Sequence, residues 1–576
     1  MANFNHSKSS SNVSANSLHT LIAFVALFSV LTSCASTPEI ADLVLVGGEV
    51  ITLDNDQPTG QAIAIRNGRV LRVGSVEAIE ALVGANTERI DLDGGLVIPG
   101  FIEGHGHFLG IGDMQLQLDF MRATNYASVI AMVEEAVADS QPGELIRGRG
   151  WHQSKWSDVA EGSVQGMPHH KQLSAISPNN PVILEHASGH AALANERAMQ
   201  LAGIDRNTPD PPGGEILRDA DGEPIGVFRE NAIDLLNPVF SDAAAPDPRQ
   251  LAMLARDECL SKGITSFHDA GSPLAVADVY HELAKAGELG LRLFVLLSDS
   301  NETLSASLDD HPLLAIENDH LAVGGIKRSI DGALGSHGAW LLEPYSDHAA
   351  SHGLNSITVE SLRETARIAV EYDLQLCVHA IGDRANRETL DIFQDTFEEH
   401  ADRTDWRWRI EHAQHLNPDD IPRFKELGVI ASMQAVHCTS DASFVVDRLG
   451  EERARDGAYV WRTLVDLGVV VTNGTDAPVE NVDPIANYYS AVTRQTKAGT
   501  TFFADQRLTR IEALRSYTLN NAIASFQEDQ KGSLAPGKLA DITVLSRNIT
   551  TIPVEEIAQT KVLYTIVGGR VLYSSN

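Results

Sequence analysis

The sequence predicts an α/β protein, a TIM-like (β/α)8 barrel carrying a split β-sandwich built from both chain ends. Three observations lead there. Short apolar runs alternate with amphipathic stretches from about 98 to 530, as in LRLFVLLSD, HLAVGGIKRSID, LQLCVHAIGD and GVVVTNGTDAP. Such alternation favours a parallel sheet, most economically a closed barrel. The segment from Ala41 is instead rich in short β runs broken by GG, NG and DGG turn signals, and a similar texture returns only near the C-terminus. A length of 576 residues with 43% hydrophobic and 21% charged content suits a sizeable core and excludes a disordered or fibrous chain.

Taken in order, residues 1–33 read as an address. One Lys (Lys8) and no acid precede the apolar run Leu21–Leu31, and small residues follow it. That run suits a signal peptide and is too short for a stable span. Leu31-Thr32-Ser33-Cys34 resembles a bacterial lipobox, which implies acylation of Cys34 and anchoring in the cell envelope. Ala35 after it resembles the pattern sorted to the outer membrane. Residues 41–97 with 533–576 are expected to form the sandwich, and 98–532 the barrel. Within the barrel, NPVILEHA, GITSFHDAG, RWRIEHAQ and GVIASMQAVH also read as strands, and Ser361–Tyr372 and Ile511–Ala524 as helices. A long insertion at about 120–250 is dense in Pro, Gly and polar residues, which suggests loops over the barrel mouth.

Charge excludes one partner class. Asp+Glu of 78 against Lys+Arg of 44 gives −34, so phosphate backbones are repelled. Beyond Cys34, three cysteines (Cys259, Cys377, Cys438) without framework spacing read as buried thiols rather than a disulfide scaffold.

Catalytic groups of such barrels stand at the C-terminal ends of strands. His105 and His107, at i and i+2 of an extended run, point to the same side and can reach one cation. Lys327 interrupts an apolar strand, where an unpaired ammonium is costly. His379, His412 and Asp476 each end a β-like run. Ligand-type residues in that order form a metal-binding set rather than a packing accident.

Those residues and their surroundings resemble the amidohydrolase superfamily, in its YtcJ-like or amidohydrolase-3 branch. The likeness runs from about 41 to 573. It is carried by PGFIEGHGHFLG, SGHAALAN, DGALGS, HAIGDRAN, IEHAQ, SMQAVHCTSD, GTDAPVE, KGSLAPGKLADITVLS and TIVGGRVLY. It implies that His105, His107 and Asp476 hold one divalent ion, and His379 and His412 a second, zinc suiting these donors. Lys327, carboxylated by CO2, would bridge the two ions; the competing reading is an unmodified Lys327 paired with Asp331. The resemblance also places His190, Arg384, His437 and Asp441 at the substrate. His379 is followed by Ala-Ile-Gly-Asp383 without a nearby Glu, unlike mononuclear deaminases of the superfamily, which favours hydrolysis.

The expected chemistry is attack by a metal-bridging hydroxide on a non-peptide C–N bond of amide, N-acyl or N-formyl type, with Asp476 as proton carrier. A deaminase, a cyclic-amide hydrolase, a peptidase-like member acting on dipeptides or carbamates, and a binding lipoprotein without turnover are the alternatives. Trp151 and Trp156 suit either a pocket wall or core packing. His268-Asp269 reads as packing or support, and His169, His170, His311, His348 and His352 as bystanders.

Overall fold

A computed structural model describes residues 39–241, 246–309 and 319–575. The signal segment, Cys34 and His311 lie outside them. Among the described residues no helix is long and apolar enough to cross a membrane.

Eight parallel strands form the barrel sheet. They are β1 Phe101–Gly106, β2 Ile264–Ser272, β3 Arg292–Leu297, β4 Leu321–Ser329, β5 Gln375–Ala380, β6 Arg409–His412, β7 Ile430–Met433 and β8 Val471–Asn473. Most are buried along their whole length, because helices cover the outside and side chains fill the inside. β1 and β8 are drawn together by backbone bonds just beyond them, Asp476 N to His105 O at 2.8 Å and His107 N to Ala477 O at 2.7 Å. Asn521 spans the same seam, its Nδ2 donating to Ile102 O at 2.6 Å and Asn473 O at 2.9 Å. Gly104 and Gly474 make the approach possible, since a Cβ at Gly104 would stand 2.3 Å from Asn521 Oδ1 and one at Gly474 2.5 Å from His105 N.

Strands from the two chain ends mix in the flanking sheets. Ile542–Leu545 pairs antiparallel with Leu96–Pro99, within a six-stranded sheet that also holds Glu49–Ile51 and Val562–Val567. A four-stranded sheet including Leu43–Val46 and Ala62–Arg66 lies against it, and Leu45, Ile63, Val97, Ile542 and Val544 share one core. The barrel joins this region through the buried Arg292–Asp541 pair, at 2.7 and 3.0 Å.

The insertion corrects two expectations. It is not a set of loops: six strands, among them Ile146–Trp151, Val182–His186, Ala191–Ala194 and Pro224–Glu230, form a sheet with its own apolar cores. NPVILEHA therefore belongs to this sheet and not to the barrel. Periodicity reports a buried strand but not which sheet receives it. The expected helix over 511–524 is also two helices, Arg510–Ser516 and Leu519–Ala524.

Candidate metal centre

Register determines what the barrel presents at its mouth. Lys327, Cys377 and Arg409 stand abreast on β4, β5 and β6, and Ser329, His379 and Glu411 form the next row up. Residues two apart on a strand share a face, so both rows point into the barrel. His412 follows directly, at φ +75°, and Asp476 beyond β8 sits at φ +57°. Both are left-handed conformations that cost a non-glycine residue energy and persist where the surroundings hold them. The turn at His412 ends the alternation, so Glu411 and His412 both reach His105.

Four imidazoles and a carboxylate converge there. The His412 ring lies 4.7 Å from that of His105 and 4.5 Å from that of His379. Asp476 Oδ1 is 3.4 Å from His105 Nε2 and 3.2 Å from His107 Nε2. His105, His107 and Asp476 offer ligand atoms all within 4.8 Å of one another, and so do His412, His437 and Asp476. His105 Nε2, His379 Nε2 and Asp476 Oδ1 are buried without a hydrogen-bond partner. Orphaned polar atoms of this kind are costly unless a cation or proton satisfies them. With no cation, burial pulls the His105 pKa down, but Glu411 and Asp476 outweigh it and hold the imidazole protonated more firmly than usual. For Asp476, burial is outweighed by His105 and His107, which hold the carboxyl well below its ordinary range. A divalent ion fits this donor set: it would replace the extra proton and meet the unpartnered atoms.

Lys327, 8% exposed, lines the same cavity. Burial lowers its pKa, against the pull of Glu411 and Asp476. The alternative pairing with Asp331 is absent among the described contacts. The Asp331 carboxylate instead accepts backbone N–H groups of Ile381 at 3.0 Å, Gly382 at 2.8 Å and Trp340 at 2.8 Å. Burial nonetheless pushes its pKa up to about 7.

The site opens into two lobes that meet at His190, His379, His412 and Asp476. One holds about 350 Å³ and is walled by His107, Arg149, Glu185 and Lys327. The other is a recess of about 50 Å³ walled by Leu334, Ile381, Phe444, Asp441, His437 and the Lys155–Glu480 pair. Of the residues expected at the substrate, His190 borders both lobes, with Nδ1 2.7 Å from Glu230 Oε2. His437 and Asp441 border the recess, Asp441 accepting the Tyr459 hydroxyl at 2.8 Å. Arg384 is not brought to the site. Its guanidinium lies 4.4 Å over the Trp340 ring, apart from the residues lining either lobe.

Trp151 packs in the insertion core with Trp156 against it, as packing and not as wall. Asp269 supports the first turn after β1, accepting Phe108 N at 3.0 Å and the Tyr280 hydroxyl at 3.0 Å. Sequence reasoning passed over Glu411, whose Oε2 lies 2.5 Å from His105 Nδ1, and Gln434, whose Oε1 lies 2.7 Å from His412 Nδ1. It also passed over Glu230. An Arg and a Glu at i and i+2 of the apolar run RWRIEH were the available signal for the first.

Barrel and histidine–carboxylate cluster together define a metal-dependent hydrolase site at the strand ends. The chain belongs to the amidohydrolase family, whose profile residues 88–573 match. Putative amidohydrolase YtcJ of Bacillus subtilis is 30% identical over 92% of this chain and 99% of its own. N-substituted formamide deformylase of Arthrobacter pascens is 28% identical over 93% of this chain and 99% of its own. The crystal structure of an uncharacterized metal-dependent hydrolase from Pyrococcus horikoshii superposes with a TM-score of 0.71 at 26% identity, over 89% of this chain and 99% of that one. The protein is thus a hydrolase of the metal-dependent kind, acting on a small molecule with a divalent ion.

Proposed function

We propose that the chain hydrolyses a non-peptide C–N bond of amide, N-acyl or N-formyl type, consuming one water and releasing an acid and an amine. The observation that carries this reading is the set of unpartnered atoms, His105 Nε2, His379 Nε2 and Asp476 Oδ1, facing a cavity that Lys327 also lines. The name of the formamide deformylase relative points to the same bond. His105, His107 and Asp476 would hold one ion and His379 and His412 the second, with zinc suiting nitrogen and carboxylate donors. When bound, the ions supply Lewis acidity and an activated water near neutral pH.

The protein's own groups do the rest. A lysine with a lowered pKa has more free amine, and the amine is the form that adds to CO2, losing one proton to give an anionic carbamate. Lys327 modified in this way would offer the ions an anionic oxygen ligand in place of a buried cation. Asp476, at the junction of the two lobes, takes the proton of the attacking water and hands it to the departing nitrogen. His190, anchored by Glu230, and Asp441 border the space left for the substrate. Acylation of Cys34 would tether the enzyme on the periplasmic side of the outer membrane; mass spectrometry of the mature N-terminus tests that anchor.

The test of function is a panel of N-substituted formamides and acetamides, with ring amines and cyclic amides beside them, scored for amine, ammonia and carboxylate. Equimolar amine and acid support the reading. Ammonia would mark a deaminase, and a single ring-opened acid from cyclic amides a cyclic-amide hydrolase. No turnover on any panel member would overturn the C–N bond reading.

A further inference from the structure

The histidines at the site are not wired alike. His412 Nδ1 lies 2.7 Å from Gln434 Oε1, an acceptor, and the same glutamine amide donates from Nε2 to Ser432 O at 3.1 Å, which fixes its sense. His412 therefore carries its hydrogen on Nδ1 and offers a lone pair from Nε2. His105 follows the same pattern, with its Nδ1 against the Glu411 carboxylate. A ligand histidine needs that arrangement, in which the far nitrogen donates outward and the near one is bare.

His437 is wired the other way. Its Nδ1 lies 3.2 Å from Gln414 Nε2, and with the amide in that sense Nδ1 accepts and the hydrogen sits on Nε2. That Nε2 is buried and has no partner in the protein, and the residue, 6% exposed, borders the recess. Distance alone would admit His437 as a metal ligand, since it shares the 4.8 Å cluster with His412 and Asp476. A nitrogen that bears a hydrogen cannot ligate.

We propose that His437 is a fixed hydrogen-bond donor and not a metal ligand, its Nε2–H directed at the substrate carbonyl oxygen as that oxygen gains negative charge. Gln414 is the positioning residue that sets the tautomer. The role in turnover rests on the amide-hydrolysis reading above; the tautomer does not. Beside it the recess is walled by Leu334, Ile381, Phe444 and Val479 as well as by Asp441 and the Lys155–Glu480 pair, and a donor already aimed at the place where charge develops needs no reorganisation to stabilise it.

Long-range ¹H–¹⁵N spectra of holoprotein labelled at histidine nitrogen test the tautomer, with His437 assigned by the signals lost in His437→Gln. The expected result is Nε2–H in the wild type and Nδ1–H in Gln414→Glu, whose carboxylate demands a donor. Metal analysis of His437→Ala should give wild-type equivalents. With amide substrate its kcat should fall about 10²–10³-fold with little change in KM, the magnitude typical of one lost oxyanion donor. His437→Gln, which returns an N–H near the same place, should recover part of the rate. An Nδ1–H wild type, a metal equivalent lost in His437→Ala, or an unchanged kcat would each overturn the proposal. If the wild type hydrolyses no amide, the functional reading fails by itself, while the spectra and metal counts still decide between donor and ligand.

Discussion

Glu411→Gln isolates what charge contributes beneath the metal centre. Glutamine keeps the size of the side chain, so no cavity opens and only the charge is removed. Glu411 is fully buried, with Oε2 2.5 Å from His105 Nδ1 and Oε1 2.9 Å from Arg409 Nε. The latter is an ion-pair contact without hydrogen-bond alignment, because the Nε–H points at Cys377 Sγ at 3.3 Å. Burial raises the Glu411 pKa, but Arg409 and His105 overcome it and hold the group well below the usual carboxylate range. Removing one partner of a buried pair costs about 3–5 kcal/mol, since the other charge stays buried and uncompensated. Arg409 retains His268 Nδ1 at 3.2 Å and Cys377, which places the expected loss near the lower end. The glutamine amide can also turn its N–H₂ toward His105 and reverse the ring's tautomer, and loss of such a support costs about 10–100-fold in metal affinity. Urea unfolding of the metal-free protein and chelator-competition titration read the two effects separately. A variant within about 0.5 kcal/mol of the wild type, with unchanged metal affinity, would refute the reasoning.

Three further outcomes follow from the same geometry. Asp476→Asn should retain most of the metal while kcat falls about 10²–10⁴-fold, the usual share of a positioned proton carrier; metal analysis with steady-state kinetics checks both, and near-wild-type kcat would remove Asp476 from that role. Lys531 is buried against the Ser266 hydroxyl at 2.9 Å, and burial lowers its pKa to about 7. Because its folded pKa lies below the unfolded value, the unfolded chain binds more protons between pH 7 and about 10, so stability rises with pH there. The wild type should gain about 2–3 kcal/mol relative to Lys531→Met between pH 7 and 9 in urea melts, and an identical pH dependence in both would count against it. Gly338→Ala would set a Cβ 2.2 Å from Glu230 Oε1, so Glu230 must leave its seat and release His190. The expected result is a raised KM with stability lowered by about 1–3 kcal/mol, as for overpacking; unchanged KM and melting temperature would contradict it.

Much of this was legible along the chain, for identifiable reasons. His105 and His107 were readable because i and i+2 on a strand share a face, and both indeed approach Asp476 Oδ1. Lys327, His379 and Asp476 stood out as polar residues inside or ending apolar runs. The insertion was misread because its turn-rich segments hide short strands such as Ala191–Ala194, and because Val182–His186 looks like a barrel strand until its partners are known. Arg384 illustrates the limit of motif transfer: its position matches, yet its side chain is satisfied by Trp340. Supporting partners such as Gln434 for His412, Gln414 for His437 and Glu230 for His190 lie 22, 23 and 40 residues away in sequence, so only the folded chain reveals them. The left-handed backbone at Glu230, His412 and Asp476 carries no sequence signal at all, since none of the three is glycine.

The most direct test of the account is metal content per chain, measured by mass spectrometry alongside amine release from a formamide panel. The account predicts about two divalent ions per chain, as in a bridged two-metal site, with release that stops on chelation and returns with metal and bicarbonate. About one ion would displace Lys327 from its bridging role and turn attention to deamination. A chain that takes up no metal even with bicarbonate supplied, and releases no amine, would contradict the central claim.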